Sequence, residues 1–194
     1  MGRVVILNGT SSSGKTTLVE LFLSRRHGAG ECWLTTGIDE CITTLPDPWH
    51  RTPGFDGPWA EDGFRLEACG DALEVRGGEM WQRMLTAYRR TVAVWARTGF
   101  DVIVDEVVLD EFGASEWSAE LDGVPLVWVG VRCALDVAEA REEARGDRFR
   151  GIARGQFDVV HRHVRYDLEL DTTSRTPDEL VRELERHLGV RSET

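Results

Sequence analysis

The 194-residue sequence predicts an α/β fold, a three-layer sandwich with helices on both faces of a central, mostly parallel five-stranded sheet. Three observations predict it. Short apolar, β-branched runs recur along the chain. Segments with helical apolar spacing separate them. The first apolar run passes into the first helix through a turn rich in serine and glycine.

Each element has its own warrant. Arg3-Val4-Val5-Ile6-Leu7-Asn8 is a continuous apolar run, as in a strand buried on both faces. Thr17 to Leu23 has helical spacing and leads into Arg25, Arg26, His27 and Gly28, cations suited to a last turn and a glycine suited to a C-cap. Cys32-Trp33-Leu34-Thr35 reads as a short strand before Asp39. A helix is expected from Glu79 to Thr98, with Met80, Met84, Tyr88, Val92 and Trp95 on one stripe. Phe100 to Glu106 is a buried strand ending in acids, and Pro125 to Val131 is another that feeds a helix from Leu135 to Ala144. Tyr166 to Leu170 is the last strand. Thr176-Pro177-Asp178-Glu179 opens the last helix with a capping box and proline at N1, placing Leu180, Leu184 and Leu188 on one face.

Pro46 to Gly78 is too long for a plain connector and reads as an insertion on the acceptor side. Phe64 to Glu67 and Ala72 to Arg76 flank Cys69-Gly70-Asp71 as a small hairpin. Trp49, Phe55, Trp59 and Phe64 either line an apolar acceptor pocket or pack the insertion onto the sheet. The expected organisation is one domain over 1–194, with the insertion at 46–78 and a lid at 141–155.

Composition excludes several function classes. Hydrophobic residues are 41% and charged residues 29%, so the chain can bury a core without metal or disulfide staples. No apolar run reaches the ~20 residues of a membrane span, and the first residues are too short in apolar length for a signal peptide. The net charge of -11 would repel DNA or RNA, so neither a nucleic-acid nor a membrane partner is expected. Cys32, Cys41, Cys69 and Cys133 form no CxxC pair and read as reduced thiols of a cytoplasmic protein, monomer or homodimer.

The basic residues carry the sharpest signal. Of 23 Lys and Arg residues, Lys15 is the only lysine. A generic surface cation is arginine everywhere else, so position 15 requires a compact ammonium on a flexible stem. Lys15 sits in Gly9-Thr10-Ser11-Ser12-Ser13-Gly14-Lys15-Thr16, a full match to GxxxxGK[ST] between a strand and a helix. The rival reading is a serine-rich turn that matches by chance. In the phosphate-binding reading the backbone N–H groups of Gly9 to Thr17 cradle the phosphates of ATP, Lys15 reaches the β- and γ-phosphates, and the Thr16 hydroxyl binds Mg²⁺. The fold is then a P-loop NTPase sandwich. Asp105, at the carboxyl end of its strand, is the second magnesium ligand, or else an ordinary strand-end acid. Glu106 falls on the opposite face of the strand.

Two further segments bear on catalysis. Asp39, after the second strand, is either a helix N-cap or a carboxylate that takes the proton of an acceptor hydroxyl. The run Arg141 to Arg150 carries several guanidiniums beside Gly146, suiting a lid that neutralises phosphoryl charge; the alternative is a solvated helix face laced with Glu139, Glu142 and Glu143. Arg132 has no assigned role.

Ile6 to Gly9, Ser12 to Lys15, Gly37-Ile38-Asp39, Val127 to Cys133, Ala144 to Arg148, Val159-Val160-His161 and Tyr166 to Thr172, in that order, resemble the chloramphenicol phosphotransferase family over nearly the whole chain. The resemblance implies a fold similar to shikimate and adenylate kinases and transfer of the γ-phosphoryl group of ATP to a primary hydroxyl of an antibiotic. It places the general base on Asp39, the P-loop lysine on Lys15 and the lid arginines on Arg145 and Arg148. Asp105-Glu106 departs from the family's paired aspartates, and 46–78 matches poorly. The expected activity is therefore an ATP- and Mg²⁺-dependent O-phosphotransferase acting on a hydroxylated small molecule, an antibiotic of chloramphenicol, nucleoside or other type, giving resistance. The alternative is a metabolic kinase for a nucleoside, a sugar or a shikimate-like acid. A guanine-nucleotide switch would need an [NT]KxD motif, which a chain with one lysine at position 15 cannot contain. A non-catalytic acidic domain would leave Lys15 without a purpose.

Overall fold

All five expected core strands form, and they pair in parallel. The computed structural model describes residues 1–47, 49–52, 60–145 and 149–190. The central sheet contains β1 (Val4–Asn8), β2 (Trp33–Gly37), β6 (Asp101–Glu106), β7 (Leu126–Arg132) and β8 (Leu168–Asp171), in the order β2-β6-β1-β7-β8. β1 lies in the middle and is buried throughout. The helices are α1 (Lys15–Gly28), α2 (Ile38–Thr43), α3 (Glu79–Arg97), α4 (Glu111–Glu120), α5 (Leu135–Arg145), α6 (Ile152–Phe157) and α7 (Pro177–Leu188).

Strand alternation sorts the core into two layers. Val4 and Ile6 of β1, with Val102 and Val104 of β6, pack against Val92 and Ala93 of α3 and Trp117 of α4. Val5 and Leu7, with Ile103 and Val129, pack against Leu18 and Phe22 of α1 and Leu180 and Leu184 of α7. Each such aliphatic side chain contributes about 1.5–3 kcal/mol by leaving water.

Local chemistry explains the element ends. The Thr176–Glu179 capping box forms in both directions, and Gly189 closes α7 at φ 65°. The last strand starts at Leu168, two residues later than expected. Tyr166 lies flat over Gly130, where a Cβ would come within 2.7 Å of the ring, and the Asp167 carboxylate accepts the Trp128 N–H at 2.8 Å. Asp167 N–H in turn donates to Trp128 O at 2.9 Å, so backbone and side chain together hold the strand entrance. Arg26 falls in the last turn of α1 as expected, where it is fully buried and donates to the equally buried Glu185 of α7 at 2.6 Å. Removing one member of such a pair costs about 3–5 kcal/mol.

The insertion is a second sheet of β3 (His50–Arg51), β4 (Phe64–Cys69) and β5 (Ala72–Gly77), in the order β3-β4-β5. β4 and β5 form the expected antiparallel hairpin, with Gly70 at φ 59° in its turn. Phe64 is buried against Trp81 of α3 with ring centroids 4.9 Å apart, and Trp49 donates its indole N–H to Asp62. Phe55 and Trp59 lie outside the described residues.

α6 docks on this hairpin. Leu73 N–H donates to Gly151 O at 2.9 Å, and a Cβ on Gly155 would fall 2.0 Å from Leu73 O. Only glycine permits that approach. Gly155→Ala is expected to cost about 1–3 kcal/mol by overpacking, read as a fall in melting temperature of roughly 2–4 °C per kcal/mol. An unchanged melting curve would mean that α6 is not seated on β5.

Candidate active site

The carboxyl ends of β2, β6 and β1 are neighbours in the sheet, and the sequence hangs its chemistry there. The turn from β1 to α1 holds Gly9 to Thr16. Ser12 (φ 59°) and Gly14 (φ 95°) are both left-handed, the alternation that curls backbone N–H groups inward. At Gly9 a Cβ would stand 2.4 Å from Val131 O, so the loop lies directly on β7. Ser12 Oγ and Ser13 Oγ are buried without a partner. Two orphaned hydroxyls in a loop of this conformation, next to a buried ammonium, fit phosphate oxygens.

Lys15 is 5% exposed and its Nζ donates to Gly9 O and Thr10 O, both at 2.9 Å, so the side chain folds back over the loop. Asp105 stands at the end of β6, with Oδ1 3.7 Å from Lys15 Nζ and Oδ2 accepting from Thr16 Oγ1 at 2.7 Å. A hydroxyl and a carboxylate held together beside a phosphate nest form a hard oxygen set suited to Mg²⁺. Thr17 follows, exposed, in the first turn of α1.

Gly37 of β2 pairs in register with Asp105, and a Cβ there would lie 3.0 Å from Asp105 O. That close approach starts α2 beside the magnesium candidates and puts Asp39 in its first turn, exposed. Gly37 is the N-cap of α2, so Asp39 does not serve in that role.

The described part of the expected lid segment divides in two. Arg141 is anchored: its guanidinium donates to Thr172 Oγ1 at 3.1 Å and Thr172 O at 2.8 Å, while Thr172 Oγ1 donates to Ser13 O at 2.6 Å. Glu142 is buried and its carboxylate accepts the N–H groups of Gly151 (2.7 Å) and Ala153 (2.8 Å). It caps α6 instead of lacing a solvated face. Glu139 and Glu143, by contrast, do pair with Arg154 and Arg150. Arg145 is exposed and borders a cavity of about 550 Å³ beside the phosphate loop, together with Ser12, Thr16, Arg141, Arg175 and Pro177. Arg148 lies outside the described residues. Arg132 pairs with Glu169 across β7 and β8.

Residues 2–189 match the family model described as chloramphenicol phosphotransferase-like protein. The chain belongs to the chloramphenicol phosphotransferase-like family. A Mycobacterium tuberculosis protein provisionally named an O-phosphotransferase, present in strains CDC 1551 and H37Rv, is 31% identical over 188 residues, covering 94% of this chain and 80% of the relative. Among solved structures, the chain is similar to the Mycobacterium tuberculosis APS kinase in complex with AMPPNP and APS (TM-score 0.68, 17% identity, 97% of this chain and 98% of that one). It is also similar to the Deinococcus radiodurans tunicamycin resistance protein (TM-score 0.66, 14% identity, 100% and 99%) and to the Aquifex aeolicus shikimate kinase (TM-score 0.55, 13% identity, 96% and 96%). This member of the chloramphenicol phosphotransferase-like family is thus an enzyme, a nucleotide-dependent O-phosphotransferase on the P-loop kinase fold. No described helix is long and apolar enough to cross a membrane. All four cysteines are free.

Three features near this phosphotransferase site make contacts that cannot be read from the sequence. Asn8, fully buried at the end of β1, donates to Val160 O and Tyr166 Oη and accepts from Val108 N–H, each at 2.8 Å. It ties both flanks of the loop to the central strand. Tyr166 Oη lies 2.7 Å from His161 Nδ1, and burial with the Arg132 charge pushes His161 down to about 4, so the ring is neutral at pH 7. Glu106 does face away from Asp105: it is 3% exposed, accepts from Trp117 Nε1 at 3.1 Å and Val107 N–H at 2.8 Å, and burial raises its pKa to about 7.

Glu106 makes stability depend on pH with a definite sign. Its folded pKa lies above the ordinary 4.5, so the unfolded chain ionises first as pH rises. The neutral carboxyl is stabilising below pH 4.5, and that contribution is lost as pH rises to about 7. The melting temperature of Glu106→Gln minus that of the wild type is expected to grow across this window and level off above it. A gap independent of pH would mean that Glu106 does not titrate there.

Proposed function

We propose that the protein transfers the γ-phosphoryl group of ATP to a hydroxyl of a small antibiotic and so confers resistance. One observation carries the reading: the only lysine of the chain is buried in an inward-curled phosphate loop, flanked by a hydroxyl–carboxylate pair and, one strand further, by an exposed aspartate.

In this reading the loop amides and the Ser12 and Ser13 hydroxyls take the phosphate chain, and Lys15 neutralises charge at the β,γ-bridge. Thr16 and Asp105 would hold Mg²⁺, which supplies charge neutralisation to the phosphate oxygens when bound. The base and ribose of the nucleotide enter the cavity beside Arg141 and Arg175. Asp39 orients the acceptor hydroxyl and accepts its proton as the oxygen attacks phosphorus. Arg145, with Arg148, spreads guanidinium charge over the phosphoryl group in transit. The domain is single, residues 46–78 shape the acceptor side, and within the 141–155 lid segment Arg145 and Arg148 serve the phosphates while Arg141 stays anchored on Thr172. Four free thiols and use of ATP suit the cytoplasm.

The family description and the tunicamycin resistance protein of the same fold support an antibiotic acceptor. The test is a mass-detected phosphorylation screen with MgATP across hydroxylated antibiotics, nucleosides, sugars and hydroxy acids, paired with growth assays. Phosphorylation of an antibiotic with matching resistance is the expected result. Efficient turnover of a metabolite and none of any antibiotic would make the protein a metabolic kinase.

A further inference from the structure

Helix α6 grips the phosphate loop at two consecutive residues. Thr10 Oγ1 donates to Ala153 O at 2.9 Å, and Ser11 N–H donates to Gln156 Oε1 at 2.7 Å. Gln156 is 7% exposed. Its orientation is settled by its partner, because a backbone N–H can only donate and must face the amide oxygen. On the other side of the same peptide unit, Thr10 O accepts from Lys15 Nζ at 2.9 Å.

A trans peptide is planar, and its C=O and N–H point in opposite directions. Holding the N–H from one side therefore aims the carbonyl at whatever lies on the other. We propose that Gln156 is a positioning residue for Lys15, acting through the Thr10–Ser11 peptide unit. Its oxygen holds Ser11 N–H, the unit cannot rotate, and Thr10 O stays directed at the ammonium. Gly9 O supplies the second acceptor, so the amine is held at one point over the nest.

The brace takes its stiffness from outside the loop. Glu142 of α5 caps the start of α6 through Gly151 and Ala153, and β5 seats the helix through Leu73. Withdrawing only the oxygen at position 156 leaves α6 in place and releases Ser11 N–H, so that on the loop side the peptide unit is restrained by the 3.2 Å bond from Ser13 N–H to Thr10 O and by Lys15 itself.

The proposal rests on Lys15 as the phosphate-binding amine, and one experiment separates the two. Lys15 is the only lysine, so protein grown on lysine carrying ¹⁵N at Nζ has a single side-chain ammonium signal. Gln156→Leu and Gln156→Asn each withdraw the oxygen, whereas Gln156→Glu keeps one at the same reach. In the nucleotide-free protein, Leu and Asn are expected to shift that signal and speed its proton exchange by about tenfold. Their kcat should fall by roughly 10²-fold. Glu should recover most of both. Should the Leu variant not fold, the Asn and Glu variants decide.

An Nζ signal unmoved in folded Leu and Asn variants would overturn the proposal, as would a Glu variant as impaired as Leu. A wild-type signal that ignores added MgATP would instead overturn the role of Lys15 itself, whatever the variants do.

Discussion

Lys15→Ala is expected to lower phosphoryl transfer from MgATP by roughly 10²- to 10³-fold, the usual effect of deleting one preorganised charge donor at a reacting oxyanion. The buried ammonium donates to both Gly9 O and Thr10 O at 2.9 Å. Lys15→Arg should be nearly as damaging. A planar guanidinium spreads its donors over a fork and cannot place a point charge between those two carbonyls. Twenty-three basic positions with a single lysine amount to a natural selectivity test, and this substitution repeats it deliberately. Steady-state transfer to any accepted acceptor, with nucleotide affinity by calorimetry, gives the reading. An arginine variant with wild-type kcat and affinity would remove the reason for the lysine.

Asp39→Asn should separate chemistry from nucleotide binding. The residue lies in the first turn of α2, beyond the end of β2, whereas the proposed phosphate contacts come from the β1–α1 turn. Losing a general base costs typically 10²- to 10⁴-fold in kcat. Nucleotide affinity should stay within about twofold, since the proposed phosphate-binding groups belong to the β1–α1 turn and Asp39 to a different helix. Asparagine keeps the size of the side chain and its place near the acceptor but cannot take the proton. Equal turnover by wild type and Asp39→Asn would remove the base role. A matching loss of nucleotide affinity would move Asp39 to the phosphate side.

Legibility from the sequence tracked the range of the interactions involved. GxxxxGK[ST] was readable because its whole mechanism lies within eight consecutive residues whose backbone forms the nest. The five parallel strands were readable because burial on both faces demands uninterrupted apolar runs. The Thr176–Glu179 box was readable because both partners lie within one helical turn. α4 and α6 went unread. α6 is six residues long and owes its start to a buried Glu142 from another helix, so no local cap announces it. The burial of Arg26 was not readable because its partner Glu185 lies 159 positions away.

Residue chemistry along the chain was enough to establish the phosphate loop, the layered α/β class and the acids available at the strand ends, since each depends on neighbours in sequence. Which acids meet which cations depended on packing. Strand order set Asp105 against Thr16, took Asp39 out of the N-cap role, turned Arg141 from a lid residue into an anchor on Thr172, and brought Gln156 to the back of the Thr10–Ser11 peptide. Those pairings join residues far apart in the chain, and hydrogen bonds act over about 3 Å, so they come into being only when the sheet and its helices close.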